Sequence, residues 1–366
     1  MRTLPAVPII AAICLACSDP PEPVAPDMES GFAASVSPAP ATIDAPVFGL
    51  GASPDGSLVA AQTFAGLVTE LRKGTTSPVA ALVGVSDVDP IGRGVMLATT
   101  WGGDPTHPDA MKLFRVSRGG IQEIADLGAF EEAVNPDQVW NSLPPESNPF
   151  NLVQMKGSAA LVADAAANAI LMVDQRGQVD WVAVLTPQLA STAPLKAFLG
   201  CPNPAIPLCG LPSAIPAQPV STSIAVGPDG AYYAGELTGF PGTPGISRIW
   251  RIKPGSRHVL CPSAACTMVA NGLTSVMDLV FGPDGLLYVV EFDAAGWLHV
   301  ELAAGGGPLG PVAGGAVKAC NVNTGVCVDY VTGLSLPAAI TVLADGSLWV
   351  AENNSIPGKA DIRPIN

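Results

Sequence analysis

Short apolar runs separated by polar turns recur along the chain in a nearly constant unit. The unit is clearest at 223–236, SIAVGPDGAYYAGE, and it returns as DLVFGPDGLLYVVE at 278–291 and as AITVLADGSLWVAE at 339–352. Asp-Gly between two such runs is a strong hairpin signal, because glycine adopts the positive φ of the turn and aspartate bonds its own backbone. Each unit is therefore predicted to be a β-hairpin that ends on a carboxylate.

Weaker copies of the unit extend the repeat toward the N-terminus. They are GLGASPDGSLVAAQ at 49–62, DVDPIGRGVMLATT at 87–100 and NLVQMKGSAALVAD at 151–164. A further alternating strand is predicted after every hairpin, and after 278–291 we assign it to WLHVELA at 297–303. Most units have room for a fourth strand, so each is predicted to be a four-stranded sheet with loops of variable length.

The last unit stops one strand short, after ADIRPI at 360–365. A ring of such sheets closes if an N-terminal strand completes the last one, and GFAASVS at 31–37 is the predicted strand. Closure protects sheet edges that would otherwise pair with other chains. The sequence thus predicts an all-β protein, a six-bladed β-propeller of four-stranded antiparallel blades in one domain over 31–366. A β-solenoid or two sandwiches are the alternatives.

The N-terminal segment 1–17 has the layout of a secretory signal, with Arg2, an apolar run and small residues before Cys17. The run is too short to span a bilayer as a helix. Ala16-Cys17-Ser18 resembles a bacterial lipoprotein processing site, at which Cys17 would carry the lipid. Residues 18–30 are rich in proline and acid and are predicted to be an extended tether. We expect an exported protein, periplasmic or extracellular, that touches a membrane only through an outer-membrane lipid anchor.

The cysteines agree with export. The chain has eight, and six remain beyond the predicted signal and Cys17. They form three pairs close in sequence: Cys201 with Cys209, Cys261 with Cys266, and Cys320 with Cys327. Because short loops close with the least entropy, we predict local disulfides, which are typical of an oxidising compartment. A structural zinc site is the alternative, but these six include no Cys-x2-Cys pair.

Composition and charge limit the classes of ligand that the protein is expected to bind. Only 13% of residues are charged, while 39 glycines and 37 prolines suit short strands and tight turns. A net charge of −14 without a Lys/Arg cluster excludes nucleic acid as a partner, because no basic surface can displace counterions from phosphates. A small molecule, a glycan or a protein remains as the expected ligand, bound by a monomer.

Three segments carry a resemblance to a known family. The hairpin-plus-strand unit is similar to the NHL-type propeller repeat, and the segments 147–185, 227–255 and 275–291 resemble the ScyD/ScyE family of exported propeller proteins. The likeness covers about 49–366, and GELTGFP at 235–241 is its most specific part. Members were first linked to biosynthesis of the pigment scytonemin, and the resemblance implies no particular reaction. The family pattern Asn-Pro-Tyr-Gly is replaced here by Asn148-Pro149-Phe150-Asn151.

In a propeller of this kind the first strand of each blade lines the central channel, and the hairpin ends gather at one mouth. The candidate ligand or metal residues there are Asn151, Asp164, Glu236, Asp278, Glu291 and Glu352. One interpretation is a Ca²⁺ site of the kind used by calcium-dependent lactonases, in which the metal polarises a carbonyl. The other is that these side chains are solvated strand ends, each bonding a loop amide in the next blade. Asp278 with Asn151 is the pair we predict to contact a ligand, because other copies have Gly, Ser or Ala there.

The residues offer little support for nucleophilic catalysis. His107 and His258 lie in predicted loops and His299 on a predicted strand, and none neighbours a Gly-x-Ser-x-Gly motif. The first functional hypothesis is therefore a binding or scaffold protein that holds its ligand at the channel mouth without chemistry of its own. The second is a calcium-dependent hydrolase of the lactonase or gluconolactonase type. A purely structural role is the third.

Overall fold

The computed structural model describes residues 38–92, 94–304, 312–354 and 358–365. The chain forms six four-stranded antiparallel sheets arranged as the blades of a β-propeller, so the predicted fold class is confirmed. The first strand of every blade contacts the first strands of the two neighbouring blades. These six inner strands therefore surround the central axis.

The closing strand comes from the N-terminal side of the chain, as predicted, but from another segment. Strand β1 (Ala41–Asp44) pairs antiparallel with the last strand of the chain, with Ala41 opposite Ile362 and Asp44 opposite Lys359. Ile43 is buried in the core while Thr42 and Asp44 face solvent, which is the alternation of a half-buried strand. The segment 31–37 named above lies outside the described residues.

Blades 1 and 2 follow directly along the chain. Blade 1 contains β2 (Val47–Ala52), β3 (Leu58–Gln62), β4 (Leu67–Arg72) and β5 (Thr75–Ala81). Blade 2 contains β6 (Val85–Gly92), β7 (Val95–Thr100), β8 (Lys112–Ser117) and β9 (Gly120–Asp126). Helix α1 (Leu127–Val134) and a 3₁₀ turn (Pro136–Val139) lead to blade 3. Asp126 caps α1 by accepting a hydrogen bond from the amide of Ala129 at 2.8 Å.

Blades 3 and 4 are linked by an insertion with its own small sheet. Blade 3 contains β10 (Pro149–Met155), β11 (Ala159–Asp164), β12 (Ala169–Val173) and β13 (Val179–Leu185), with a 3₁₀ turn at Lys156–Ser158. The insertion contains β14 (Gln188–Ser191), α2 (Ala193–Phe198), a 3₁₀ turn (Pro207–Gly210) and β15 (Ala214–Ala217). Blade 4 contains β16 (Ser221–Val226), β17 (Tyr232–Glu236), β18 (Ser247–Ile252) and β20 (Cys266–Leu273). Strand β19 (Val259–Cys261) leaves blade 4 and pairs with β13.

Blades 5 and 6 complete the ring. Blade 5 contains β21 (Val276–Phe281), β22 (Leu287–Glu291), β23 (Gly315–Asn321) and β24 (Val326–Leu334). Blade 6 contains β25 (Ala339–Val342), β26 (Leu348–Glu352), β27 (Lys359–Ile365) and the closing strand β1. Within the described residues no helix is long and apolar enough to cross a membrane.

The strand assignment for 297–303 is wrong, because this segment begins helix α3 (Trp297–Ala304). The third strand of blade 5 is β23, which pairs with β22. The Trp297 amide donates to Ser275 Oγ at 2.9 Å, and its indole nitrogen donates to the Thr238 carbonyl at 2.9 Å. These bonds fix the first turn of α3 in the loop region between β22 and β23, so Trp297 and His299 are helical.

The core consists of apolar clusters between neighbouring blades. The clearest example joins blades 3 and 4, where Ile170 and Leu161 pack in one cluster with the nearly fully buried Trp250. Equivalent clusters occupy the other five blade junctions. Since each blade buries both faces against its neighbours, the ring is stabilised mainly by this sheet-on-sheet burial.

The three predicted disulfides are confirmed. They join Cys201 to Cys209 in the insertion, Cys261 to Cys266 and Cys320 to Cys327. Cys320 and Cys327 face each other directly across the β23–β24 pair. All three close short loops, as the spacing along the sequence indicated.

Candidate functional site

A β-bulge at the start of the inner strand positions the channel residues in five of the blades. The pairing with the second strand skips one residue there, as between Val276 and Asp278 in blade 5. The skipped residues are Phe48, Ser86, Phe150, Thr222 and Met277. A bulge turns a side chain out of the regular alternation. The residue after the bulge pairs with the residue before the hairpin end, as Asp278 pairs with Val290, so it and the hairpin-end residue point to opposite faces of the blade.

The bulky bulge residues cover the channel at the end where the inner strands begin. The rings of Phe48 in blade 1 and Phe150 in blade 3 have their centroids 5.3 Å apart, although blade 2 lies between these blades. Both belong to one apolar cluster with Met277 of blade 5. Large side chains on alternate blades thus meet over the axis, while blades 2 and 4 have the small Ser86 and Thr222 at this position.

Directly below this apolar layer, three buried polar side chains meet in the channel. The Asn151 amide nitrogen donates to Asp87 Oδ2 at 2.9 Å and to Asp278 Oδ1 at 3.3 Å. The predicted pair Asn151 and Asp278 is therefore brought together, with Asp87 as a third member. All three are at most 6% exposed.

Each member of this trio also bonds the inner strand of the next blade. Asp87 Oδ2 accepts the amide of Leu152 at 2.8 Å, and Asp278 Oδ2 accepts the amide of Ile340 at 2.8 Å. Asn151 Oδ1 accepts the amide of Ile224 at 2.8 Å. The remaining carboxylate oxygens accept the amides of the residues that follow, both at 2.8 Å: Val88 and Leu279. All four carboxylate oxygens thus have N–H donors, and the trio joins blades 2 to 3, 3 to 4 and 5 to 6.

Burial dominates the electrostatics of the trio. It raises the pKa of Asp278 to about 7, against the lowering effect of its amide donors. Burial, followed by the charge of Asp278, raises the pKa of Asp87 well above its ordinary value. Two carboxylates that share one amide donor in a channel closed to water on one side cannot both ionise at low cost. The trio therefore holds a proton more readily than exposed aspartates do.

The channel below the trio is a cavity of about 630 Å³, lined by the inner strands of all six blades. Exposure increases along each inner strand away from the trio; in β10, residues 149–152 are buried and Gln154 is exposed. The rim includes Lys156 and Gly157 of a hairpin turn. The cavity therefore opens toward the hairpin turns, at the end opposite the hairpin ends named above. Asp89 lines its wall, and burial raises the pKa of this carboxyl to about 6.

The other four candidate carboxylates do not converge, since each is bonded within its own blade or the loop that enters it. Asp164 accepts the amide of Asn148 at 2.7 Å. Glu236, fully buried, pairs with Arg248 at 2.6 Å and accepts the indole N–H of Trp250 at 3.1 Å. Both side chains lie outside the lining of the channel cavity.

Glu291 and Glu352 repeat this arrangement in blades 5 and 6. Glu291 accepts the amide of Thr274 at 2.6 Å, and Glu352 accepts the amide of Ser335 at 2.9 Å while also pairing with Arg363. Each amide precedes the inner strand of the same blade, so these carboxylates fix the loop that enters their own blade. Among the residues that the structure describes, no group of three or more His, Cys, Asp or Glu side chains could hold a metal ion.

Sequence reasoning missed Asp87. It is the first residue of the weak copy DVDPIGRGVMLATT, at the position that Asp278 occupies in blade 5. Superposing the copies on their first residue, instead of on their turns, would have found it. Gly49 occupies the same position in blade 1, and a side chain there would collide with Asp87, since an added Cβ would lie 2.2 Å from Oδ1.

The fold has relatives among solved structures. A gluconolactonase from Xanthomonas campestris aligns with a TM-score of 0.54 at 11% identity over 100% of both chains. A calcium-binding regucalcin from Agrobacterium tumefaciens aligns with a TM-score of 0.54 at 13% identity, over 87% of this chain and 90% of that one. No protein-family model and no curated protein matches the sequence. At these identities the likeness establishes the propeller fold alone.

Proposed function

We propose that the protein is a binding protein that takes a small organic cation, an amine, into the central channel from the hairpin-turn side. The observation that carries this proposal is the acidic lining of the cavity, in which Asp89 is mostly ionised at pH 7. Asp87, Asp89 and Asp278 all face it, and none forms an ion pair with a Lys or Arg of the described residues. Carboxylates in a partly desolvated cavity attract a cation more strongly than they would in water.

Asp89 is the contact we assign to the ligand. Its Oδ2 accepts the amide of Gln154 at 2.7 Å, and its side chain is only partly buried on the channel wall. With a pKa of about 6 it is mostly ionised at pH 7. Apolar side chains make up much of the remaining wall: Leu50, Val153, Val226, Val280 and Val342. A cavity of about 630 Å³ lies in the usual range for small-molecule sites.

Ligand-observed NMR with a set of aliphatic and aromatic amines is expected to detect binders of the mature protein. Binding should be lost in Val226→Trp, which fills the channel, and weakened about tenfold or more in Asp89→Asn. The matched control is Val326→Trp, on an exposed outer strand that lies far from the cavity lining, and it should bind as the wild type does. The proposal would be overturned if no amine of the set bound the wild type, or if the amines that bind the wild type also bound Val226→Trp.

A metal-dependent lactonase is the second candidate, and the trio supports it. A buried carboxyl with a pKa of about 7, such as Asp278, can act as a general acid or base at neutral pH. Some propellers of this fold are gluconolactonases or calcium-binding proteins. Against this candidate, every oxygen of Asp87 and Asp278 already accepts an N–H, which leaves no oxygen free for a metal without breaking these bonds.

If the lactonase candidate holds, gluconolactone hydrolysis followed by pH-stat titration should exceed the spontaneous rate and require added Ca²⁺. Asp278→Asn should reduce that excess at least a hundredfold, since it removes the acid–base group. Asp229→Asn, in an exposed hairpin turn, is the control. Hydrolysis at the spontaneous rate with and without Ca²⁺ would eliminate this candidate.

We further propose that the protein belongs to the ScyD/ScyE family and is exported. The three disulfides of the described residues support an oxidising compartment. The GELTGFP segment is the most specific part of the resemblance, and its Glu236 is fully buried and paired with Arg248. This ion pair gives the segment a structural role in blade 4. Cys17, the proposed lipidation site, lies outside the described residues.

A further inference from the structure

Below the trio, the inner strands place another layer of residues around the channel. Its members lie two residues after the trio position of their blade, as Asp89 follows Asp87 in blade 2 and Thr341 follows Ala339 in blade 6. Alternate residues of a strand share one face, so each member points to the same side as the trio position above it. The six members of this lower layer all line the cavity: Gly51, Asp89, Val153, Ala225, Val280 and Thr341.

The lower layer has a polar side and an apolar side. Asp89 in blade 2 and Thr341 in blade 6 lie on either side of blade 1, whose member, Gly51, has no side chain. The members in blades 3, 4 and 5 are aliphatic: Val153, Ala225 and Val280. A ligand at this depth of the channel therefore meets a carboxylate and a hydroxyl on one side and hydrocarbon on the other.

Both polar members have an oxygen available to a ligand. Asp89 Oδ2 accepts the Gln154 amide at 2.7 Å, while Oδ1 forms no hydrogen bond with the described residues. Thr341 is 7% exposed, and its hydroxyl has no hydrogen-bond partner in the part of the chain that the structure describes. Because a buried polar group without a partner is unfavourable, a ligand that bonds to this hydroxyl would be stabilised by it.

We propose that the channel selects primary amines that carry an apolar group, and that Thr341 determines this preference by accepting one N–H of the bound ammonium. The inference rests on the amine site proposed above. A primary ammonium has several N–H donors and can therefore bond to Asp89 and Thr341 together, whereas each N-methyl group removes a donor. The apolar group of the ligand packs against the aliphatic members of the lower layer, where its burial is favourable.

The two polar members have different effects on the ligand. The charge of Asp89 attracts any monovalent organic cation, because Coulomb attraction depends on charge and distance and not on the number of N–H groups. The hydroxyl of Thr341 is neutral and contributes only where the ligand has an N–H to donate. Affinity for amines in general is therefore assigned to Asp89, and discrimination among them to Thr341.

Calorimetric titration with phenethylamine and its N-methyl, N,N-dimethyl and N,N,N-trimethyl derivatives tests this assignment, since all of them carry the same charge and the same apolar group. The wild type should bind phenethylamine about tenfold more tightly than the trimethyl derivative, because a hydrogen bond to a charged group contributes about that much. Thr341→Val should weaken binding of phenethylamine about tenfold and leave the trimethyl derivative unchanged. Thr341→Ser keeps the hydroxyl and should keep the preference.

Two variants serve as comparisons. Thr267→Val makes the same chemical change on the exposed outer strand of blade 4, away from the cavity lining, and should bind the whole series as the wild type does. Asp89→Asn should weaken every member of the series, including the trimethyl derivative, because it removes the charge. Glucosamine, a primary amine without an apolar group, should bind the wild type more weakly than phenethylamine does.

The possible outcomes separate this inference from the amine site itself. If the wild type binds the trimethyl derivative as tightly as phenethylamine, or if Thr341→Val retains the preference, the role of Thr341 is overturned while the amine site stands. If no member of the series binds the wild type, both are overturned. The comparison within the wild type needs no variant, so it decides the question even if Thr341→Val does not fold.

Discussion

Replacement of Asn151 by alanine is expected to lower the free energy of unfolding by about 2–3 kcal/mol. The change removes the donor that Asp87 and Asp278 share, and it leaves the Ile224 amide without its acceptor inside the ring. A buried amide that loses its acceptor pays the full cost of desolvation, while Asp87 and Asp278 lose one donor and keep their backbone donors. Urea denaturation followed by tryptophan fluorescence measures the loss.

Ser223→Ala is the matched control for this prediction. Ser223 occupies the corresponding position of the inner strand in blade 4 and is fully buried, and its hydroxyl has no hydrogen-bond partner in the described part of the chain. Its replacement should change the free energy of unfolding by less than about 0.5 kcal/mol. Equal losses in the two variants would mean that the position tolerates no change for steric reasons, and that the polar bonds of Asn151 have no special part in stability.

Two groups of buried carboxylates in this protein differ in how completely their oxygens are hydrogen-bonded. In the channel, the backbone amides of the next blade approach Asp87 and Asp278 closely enough to satisfy every oxygen. In the connection after blade 2, Oε2 of the buried Glu131 has no hydrogen-bond partner among the described residues. The first arrangement satisfies every carboxylate oxygen and joins neighbouring blades, whereas the second leaves one buried oxygen without a donor among the described residues.

The parts of the fold that the sequence predicts correctly depend mostly on residues close together in the chain. Asp-Gly turns define hairpins within about ten residues, and the cysteine pairs close loops of similar length, so neither depends on distant contacts. The segment 297–303 failed because Trp-Leu-His-Val-Glu-Leu alternates like a strand but has no neighbour to pair with, since β22 pairs with β23. The partner of a strand is a long-range property that local alternation does not contain.

The candidate site was harder to predict than the fold for a geometric reason. The register counted from the turn pairs Asp278 with Val290, so Asp278 and Glu291 point to opposite faces of the sheet, and the bulge at Met277 then places Val276 opposite Glu291. The channel residues and the hairpin-end residues therefore belong to two different layers. Of the predicted candidates only Asn151 and Asp278 meet, and Asp87, their third partner, came from the least regular copy of the repeat.

The protein is expected to be more stable toward urea near pH 5 than near pH 8, opposite to the usual acid destabilisation. The folded pKa of Asp278 is about 7, against about 3.9 in an unfolded chain. Between these values the folded state binds more protons than the unfolded state, so the free energy of unfolding falls as pH rises. The two pKa units between pH 5 and the folded pKa correspond to about 3 kcal/mol for this group, and Asp89, with its pKa raised to about 6, acts in the same direction.

Asp278→Asn isolates this contribution, because asparagine stays neutral throughout and any cost of the substitution itself is the same at every pH. The difference in unfolding free energy between wild type and variant should therefore shift by about 3 kcal/mol between pH 5 and pH 8, in favour of the variant at the higher pH. Asp229 provides the opposite control: Arg251 and the Ala231 amide hold its pKa below the ordinary value despite partial burial, so its stabilising effect is lost only as pH falls below about 4. Asp229→Asn should leave the slope between pH 5 and pH 8 unchanged. Parallel pH profiles for wild type and Asp278→Asn would mean that the amides of Leu279 and Ile340 keep Asp278 ionised in the folded protein, and that burial does not control its protonation.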